Sequence, residues 1–223
     1  DLIKQEEARI ERIGVRIASG EPYQDMDALI VRNKTLNPQE SELEGKAFDR
    51  IMENPAKIVS EYLGEFGAHV DADKAKTLFD KTLKLANVYQ EPSSAVAKLT
   101  YNTLLVTEQN MGNNTVLFTA GGPGAAKSRS VERMPDKLEF PIIYDSNMSG
   151  LESARGRIQA AIDNGFFVHI NLVLRDPIVA FKKGVIPRGI RTGRAVPIDE
   201  HVKRHDLAPK VVQKLKEEFG DSI

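Results

Sequence analysis

Residues 115–128, TVLFTAGGPGAAKS, pass without a break from a β-branched and aromatic run into a glycine-rich turn and end on Lys127 and Ser128. The first six have the profile of a buried strand, short, apolar and bounded by turn residues, with Gly112-Asn113-Asn114 ahead of them. The remaining eight, GGPGAAKS, fit the pattern G-x-x-x-x-G-K-[ST] at Gly121, Lys127 and Ser128 and depart from it at Ala126, where the pattern has its second glycine. A loop of this kind, between a strand and an expected helix, wraps an anion. Glycines let the backbone close on phosphate oxygens, successive N–H groups turn inward, and the following helix presents its positive end. The nucleotide-binding candidates are therefore Gly121, Gly122, Pro123, Gly124, Ala125, Ala126, Lys127, Ser128 and Arg129. Lys127 is expected on the β- and γ-phosphates and the Ser128 hydroxyl on Mg²⁺. A plain glycine turn is the rival reading, and it leaves the Lys-Ser pair at this offset without a reason. Ala126 removes no donor, but it is strained if its backbone needs φ > 0.

Outward from the loop, FPIIY (140–144) and FFVHINLVL (166–174) read as two further buried strands, separated by the helical pattern LESARGRIQAAIDNG with Gly165 as its stop. Strands alternating with helices of this length imply right-handed β-α-β crossovers and a parallel sheet. The fold class is α/β, a parallel sheet flanked by helices and preceded by a helical N-terminal region. In that region residues 1–17 place Ile3, Ile10, Ile13 and Ile17 on one face, ended by Gly20 and Pro22, and residues 38–66 repeat the helical period with Pro55 splitting them. Residues 73–89 continue the period. A turn at Glu91 and Pro92 with Ser93 and Ser94 as caps then opens another helix to Met111, and the chain ends in an amphipathic helix from Pro209 to Gly220.

Asp145 ends the second strand and is followed by Ser146-Asn147-Met148-Ser149. An acid at the carboxyl end of a parallel strand lies in the crevice where α/β sheets bind ligands, so Asp145 is expected to help hold Mg²⁺ or to accept a proton from an attacking hydroxyl. Capping of the helix from Leu151 is the alternative role. Asn147 and Ser149 are candidate substrate hydrogen-bonders. Arg175-Asp176-Pro177 and the following KKGVIPRGIRTGRAVPIDEH read as a basic loop holding Lys182, Lys183, Arg188, Arg191 and Arg194. Arginine forks bind phosphate oxygens bidentately, and Arg191 and Arg194, three apart, are taken as lid residues that neutralise a transferring phosphoryl group. His201 and His205 lie four apart on an expected helix and are assigned to its exposed face, since a metal site would need a third ligand. His169 is read as a sheet residue, and Asp71 and Asp73 as caps.

Composition sets the bounds. The 223 residues include 31 Lys+Arg against 32 Asp+Glu, a net charge of −1, which gives no general case for nucleic acid or anionic lipid. With 41% hydrophobic and 28% charged residues, the chain reads as globular rather than disordered or fibrous. No apolar run approaches the length of a membrane span. Cysteine is absent, which rules out disulfides, thiol nucleophiles and cysteine-ligated zinc and suits a cytoplasmic location. The chain opens on Asp1 with no signal segment, and the missing Met points to processing or to a piece of a longer protein.

Taken together, HVDADKAKTLF, EPSSAVAKLTYNTLL, VLFTAGGPGAAKS, IIYDSNMS and TGRAVPIDEH resemble the zeta-toxin family of P-loop kinases, especially zeta-like domains inside larger bacterial or phage proteins. The resemblance spans about residues 69–205 and implies a boundary between a helical region, 1–68, and a P-loop domain, 69–223, shortened at its C-terminus. It implies ATP and Mg²⁺ as cofactors and a hydroxyl acceptor, such as that of a UDP-linked amino sugar. It also implies an antitoxin, or the rest of a longer polypeptide, as a partner. By motif, Lys127 and Ser128 match the family's nucleotide-binding pair, and Arg191 and Arg194 its basic lid. Two features depart from the family. RSVERMPDKLEF is too short to hold a helix, a strand and a base-bearing loop, which leaves Asp145 as the expected base and Asp136 as the other acid, and Ala126 replaces a glycine. These departures keep a second reading open, a catalytically weak nucleotide-binding interaction module.

Overall fold

Asparagine and proline together start the first two helices of the computed structural model, which describes residues 26, 29–135, 137–192 and 196–223. The expected helix at residues 1–17, Asp136 and Arg194 lie outside the described residues. Backbone contacts divide the chain into two compact units, Asp1–Met111 and Gly112–Ile223, so the boundary expected at 68/69 falls inside the first.

In the first unit, Asn37 caps α1 (Pro38–Glu53) in a capping box with Glu40. The Asn37 side chain accepts from the Glu40 N–H at 2.9 Å, and the Glu40 carboxylate accepts from the Asn37 N–H at 3.0 Å. Asn54 then caps α2 (Pro55–Phe66), and the helical run splits at Pro55 as expected because proline at the first position of a helix loses no hydrogen bond. A three-residue strand, β1 (His69–Asp71), follows, and Asp71 caps the single turn α3 (Ala72–Ala75). The long α4 (Gln90–Asn110) completes the unit. Phe48, Ile51, Ile58, Tyr62, Leu99 and Leu104 are fully buried, and the Tyr62 hydroxyl accepts from the Asp71 N–H at 2.7 Å.

Two expectations are corrected here. Residues 73–89 are not one helix. After α3 and a 3-10 turn (Lys76–Leu78) the chain runs in turns, because the Asp80 carboxylate captures the Thr82 N–H, the Thr82 hydroxyl and the Leu85 N–H, and Leu83 takes φ 57°. Nor do Ser93 and Ser94 cap α4. The helix already starts at Gln90, with Pro92 inside its first turn, where its missing N–H has no intrahelical partner to lose.

The second unit is α/β. The central strand β2 (Thr115–Ala120) pairs in parallel with β3 (Ile142–Asp145) on one side and β4 (Phe167–Leu172) on the other, with Thr119 opposite Asp145 and Ala120 opposite Leu172. Between them run the short α5 (Lys127–Glu132) and α6 (Leu151–Asp163). Chain order β2-β3-β4 with β2 in the middle means that successive connections leave to opposite sides. The carboxyl end of β2 therefore opens on the crevice where open α/β sheets receive ligands. Val116–Ala120 are wholly buried. β4 is different from the expected buried run: Phe167 and His169 are exposed with Val168 buried between them, and Ile170–Leu172 are half-buried. α6 buries Ala154, Ile158 and Ala161, spaced four and three apart.

Beyond β4 two further expectations change. As far as Thr192 the basic stretch after Arg175 is helical rather than a loop: α7 (Pro177–Ala180), a π-helical turn (Phe181–Val185) and α8 (Ile186–Thr192), opened by Asp176, whose side chain accepts from the Val179 N–H. The last helix, α9 (Ile198–Phe219), begins eleven residues before Pro209 and carries that proline inside it. Packing overrides the local signal there, since Ala208, Val211 and Leu215 are buried on either side of the break. Arg155 of α6 is bonded to Glu218 of α9 at 2.7 Å.

Candidate functional site

The loop between β2 and α5 starts where β2 stops pairing. Gly121 takes φ 132°, and a Cβ there would stand 2.4 Å from the Val173 carbonyl oxygen. Gly122 meets the His205 ring, 2.2 Å from where its Cβ would be, and Gly124, at φ 74°, faces the Ala180 carbonyl at 2.5 Å. These three glycines are demanded by the chain around the loop. Packing against Val173, His205 and Ala180 is thus a second requirement for glycine here, beside the close approach of phosphate expected of such a loop. Ala126 has φ 75° and ψ 34°, the left-handed conformation in which a Cβ is strained, so the glycine of the motif pattern has its conformational explanation here.

Lys127 opens α5 and folds back over the loop: its Nζ donates to the Gly121 carbonyl at 3.1 Å and to Asn147 Oδ1 at 2.9 Å. Asn147 thus joins the site through Lys127, and its carbonyl accepts from the Gly121 N–H at 3.1 Å. Ser128 donates from its hydroxyl to Asp145 Oδ2 at 3.2 Å. The other carboxylate oxygen accepts from the hydroxyl of Thr119, a fully buried residue, at 2.6 Å. Parallel pairing of Thr119 with Asp145 sets this contact, and the Thr119 hydroxyl accepts from the Ser146 N–H in turn. Asp145 is therefore held at the loop by two hydroxyls. It does not cap α6, whose N-cap is Gly150 with no side-chain bond. Ser149, the other polar candidate, is half-buried in the segment between Asp145 and α6.

Two residues outside the expected set contact the loop. Arg175 donates to the Gly124 carbonyl at 3.0 Å, and His205 Nε2 lies 2.9 Å from the Pro123 carbonyl, an acceptor only, so the ring donates through Nε2–H. The adjacent His201 is buried and makes the same kind of bond to the Pro177 carbonyl at 2.8 Å, with the two rings 4.4 Å apart. The assignment of both histidines to an exposed face is overturned. Their four-residue spacing was a legible signal, but its purpose, donation to two proline carbonyls, depends on what packs against α9. Burial lowers the His205 pKa, opposed by the backbone of Pro123 and of Arg175 and reinforced by His201 and by the Lys127 ammonium. Of the two lid arginines, Arg191 stands exposed in the last turn of α8. Arg175, outside the expected lid, is bonded to the loop.

The residues suit a magnesium nucleotide on two counts. The N–H groups of Gly122, Gly124, Ala126, Ser128 and Arg129 meet no acceptor among the described residues, which leaves donors for phosphate oxygens. One hydroxyl and one carboxylate, Ser128 and Asp145, are the oxygen ligands that Mg²⁺ takes when phosphates and water complete its shell. Among the described residues no group of three or more His, Asp and Glu side chains could hold a metal by itself. In comparisons with known proteins, no family model and no curated sequence matches the chain.

Proposed function

We propose that the chain is an ATP-dependent phosphotransferase of the P-loop kinase type, related to zeta toxins, that acts on a hydroxyl of a small substrate such as a UDP-linked amino sugar. The observation that carries this reading is the convergence on one loop of Lys127, Ser128 and Asp145, with Ser128 Oγ 3.2 Å from the carboxylate. When bound, Mg²⁺·ATP supplies the phosphoryl group. Backbone N–H groups of the loop and the Lys127 ammonium hold phosphate oxygens, and Ser128 and Asp145 hold the metal. In this reading Asp145 also receives the proton of an acceptor hydroxyl, and Arg191 and Arg194 neutralise charge on the transferring phosphoryl group. No helix among the described residues is long and apolar enough to cross a membrane.

A second reading, a nucleotide-binding interaction module with weak or no turnover, is favoured by the strained Ala126 and by glycines that the surrounding chain already requires. Calorimetric titration of Mg²⁺·ATP into the protein and into Lys127→Ala tests both. Binding lost in the variant, followed by phosphorylation of UDP-sugar acceptors, supports the kinase; binding without transfer to any acceptor supports the module. Absence of binding to the unmodified chain refutes both.

A further inference from the structure

Gly122-Pro123-Gly124-Ala125 closes with a bond from the Ala125 N–H to the Gly122 carbonyl at 3.2 Å. Proline at the second position and glycine at φ 74° at the third define a type II turn. Such a turn has one weak element, the peptide between its two central residues. Rotating that peptide by half a turn gives a type I turn with the same ends, and glycine at the third position tolerates either form. In a trans peptide the carbonyl of Pro123 and the N–H of Gly124 point in opposite directions. Whatever holds the carbonyl therefore decides where the N–H points.

The carbonyl is held by His205, whose Nε2 is 2.9 Å away. The ring has little freedom to leave. Gly122 packs against it, so close that a Cβ would stand 2.2 Å from the ring, and the ring of the buried His201, anchored on the Pro177 carbonyl, has its centroid 4.4 Å away. The Gly124 N–H, on the far end of the same peptide, meets no acceptor among the described residues. The next carbonyl, that of Gly124, is held in the same way by Arg175 at 3.0 Å.

We infer that His205 is a positioning residue of the phosphate loop: by donating to the Pro123 carbonyl it selects the type II turn and so keeps the Gly124 N–H turned away from α9 and available to a bound phosphate oxygen. The inference rests on the phosphate-binding reading of the loop. His205 touches no reacting atom and acts only through this peptide.

The test compares His205→Leu, which fills the space without a donor, with His205→Gln, whose amide can donate to the same carbonyl. Calorimetry with Mg²⁺·ATP and with Mg²⁺·tripolyphosphate is run below the unfolding transition of each variant, beside unmodified protein and Lys127→Ala. The expected result is that the Leu variant binds both ligands about tenfold more weakly, the worth of one hydrogen bond, while Gln stays within about twofold of the unmodified chain. Equal loss of stability in both variants with rescue of affinity only by Gln separates positioning from packing. Unchanged affinity in the Leu variant, with binding still abolished in Lys127→Ala, overturns the role of His205 and leaves the phosphate loop standing. Equal weakening in Leu and Gln overturns it too, since the donor would then not be the cause. No binding of either ligand by the unmodified chain overturns both.

Discussion

Replacing Ala126 by glycine should stabilise this protein, although it removes a methyl group. At φ 75° and ψ 34° the alanine is in the left-handed region, where a Cβ costs about 1–2 kcal/mol. The residue is exposed, so its methyl buries nothing that the substitution would forfeit. Against this gain stands the greater freedom of glycine in the unfolded chain, about 0.5–1 kcal/mol. The balance is a stabilisation of about 0.5–1 kcal/mol, which for a chain of this size raises the midpoint temperature by about 1–4 °C. Urea unfolding followed by circular dichroism reads it as a higher midpoint at unchanged slope. Ala126→Val supplies the opposite sign, because a β-branched side chain tolerates the left-handed region worse than alanine. A glycine variant no more stable than the natural chain, or a valine variant as stable, would falsify the claim that backbone strain is stored at this position.

Four other outcomes follow from the same geometry. Gly121→Ala combines φ 132° with a Cβ 2.4 Å from a carbonyl oxygen and should cost about 3 kcal/mol or more in urea unfolding; a loss below 1 kcal/mol would mean that the loop backbone yields. Gly122→Ala meets the His205 ring first, so its cost of about 1–3 kcal/mol should shrink in a His205→Ala background, and an additive double-mutant cycle would contradict the contact. Thr119→Val removes the buried hydroxyl bonded to Asp145 at 2.6 Å and should destabilise by about 1.5–3 kcal/mol while also weakening Mg²⁺-dependent nucleotide binding; metal dependence identical to that of the natural chain would detach Asp145 from the metal. His205 has a pKa below its ordinary value of 6.5, so the unfolded chain takes up a proton first as pH falls. Its contribution is complete above about pH 6.5 and is lost as pH drops toward the folded-state pKa, so the urea midpoint should fall more between pH 7.5 and pH 5.5 in the natural chain than in His205→Gln; equal falls would argue against a neutral ring.

Periodicity made much of this architecture legible. The apolar run before Gly121, the two later runs and the helix between them announced three strands in parallel pairing, and all three are present. The prolines announced the helix starts at residues 38 and 55, though not the asparagines that cap them. Where reading failed, a side chain or a packing surface had outweighed the period: the Asp80 carboxylate diverts residues 79–89 into turns, and the buried stripe of α9 carries a helix straight through Pro209. The same holds for the basic segment after Arg175, whose glycines and prolines suggested a loop and which is helical as far as Thr192.

For the site, the amino-acid sequence determined by itself the loop, its Lys127 and Ser128, and the acid at the end of the neighbouring strand, because these are local: their spacing along one strand-turn-helix unit dictates them. Only the tertiary structure decided that Thr119 and Ser128 share the Asp145 carboxylate, that Asn147 holds Lys127, and that Arg175 and His205 grip consecutive carbonyls of the loop. His205 is 82 positions from the proline it holds. A pattern along the chain reports which face of a helix is polar, but the acceptor opposite a given donor is set by how that helix packs, and that is a property of the folded core.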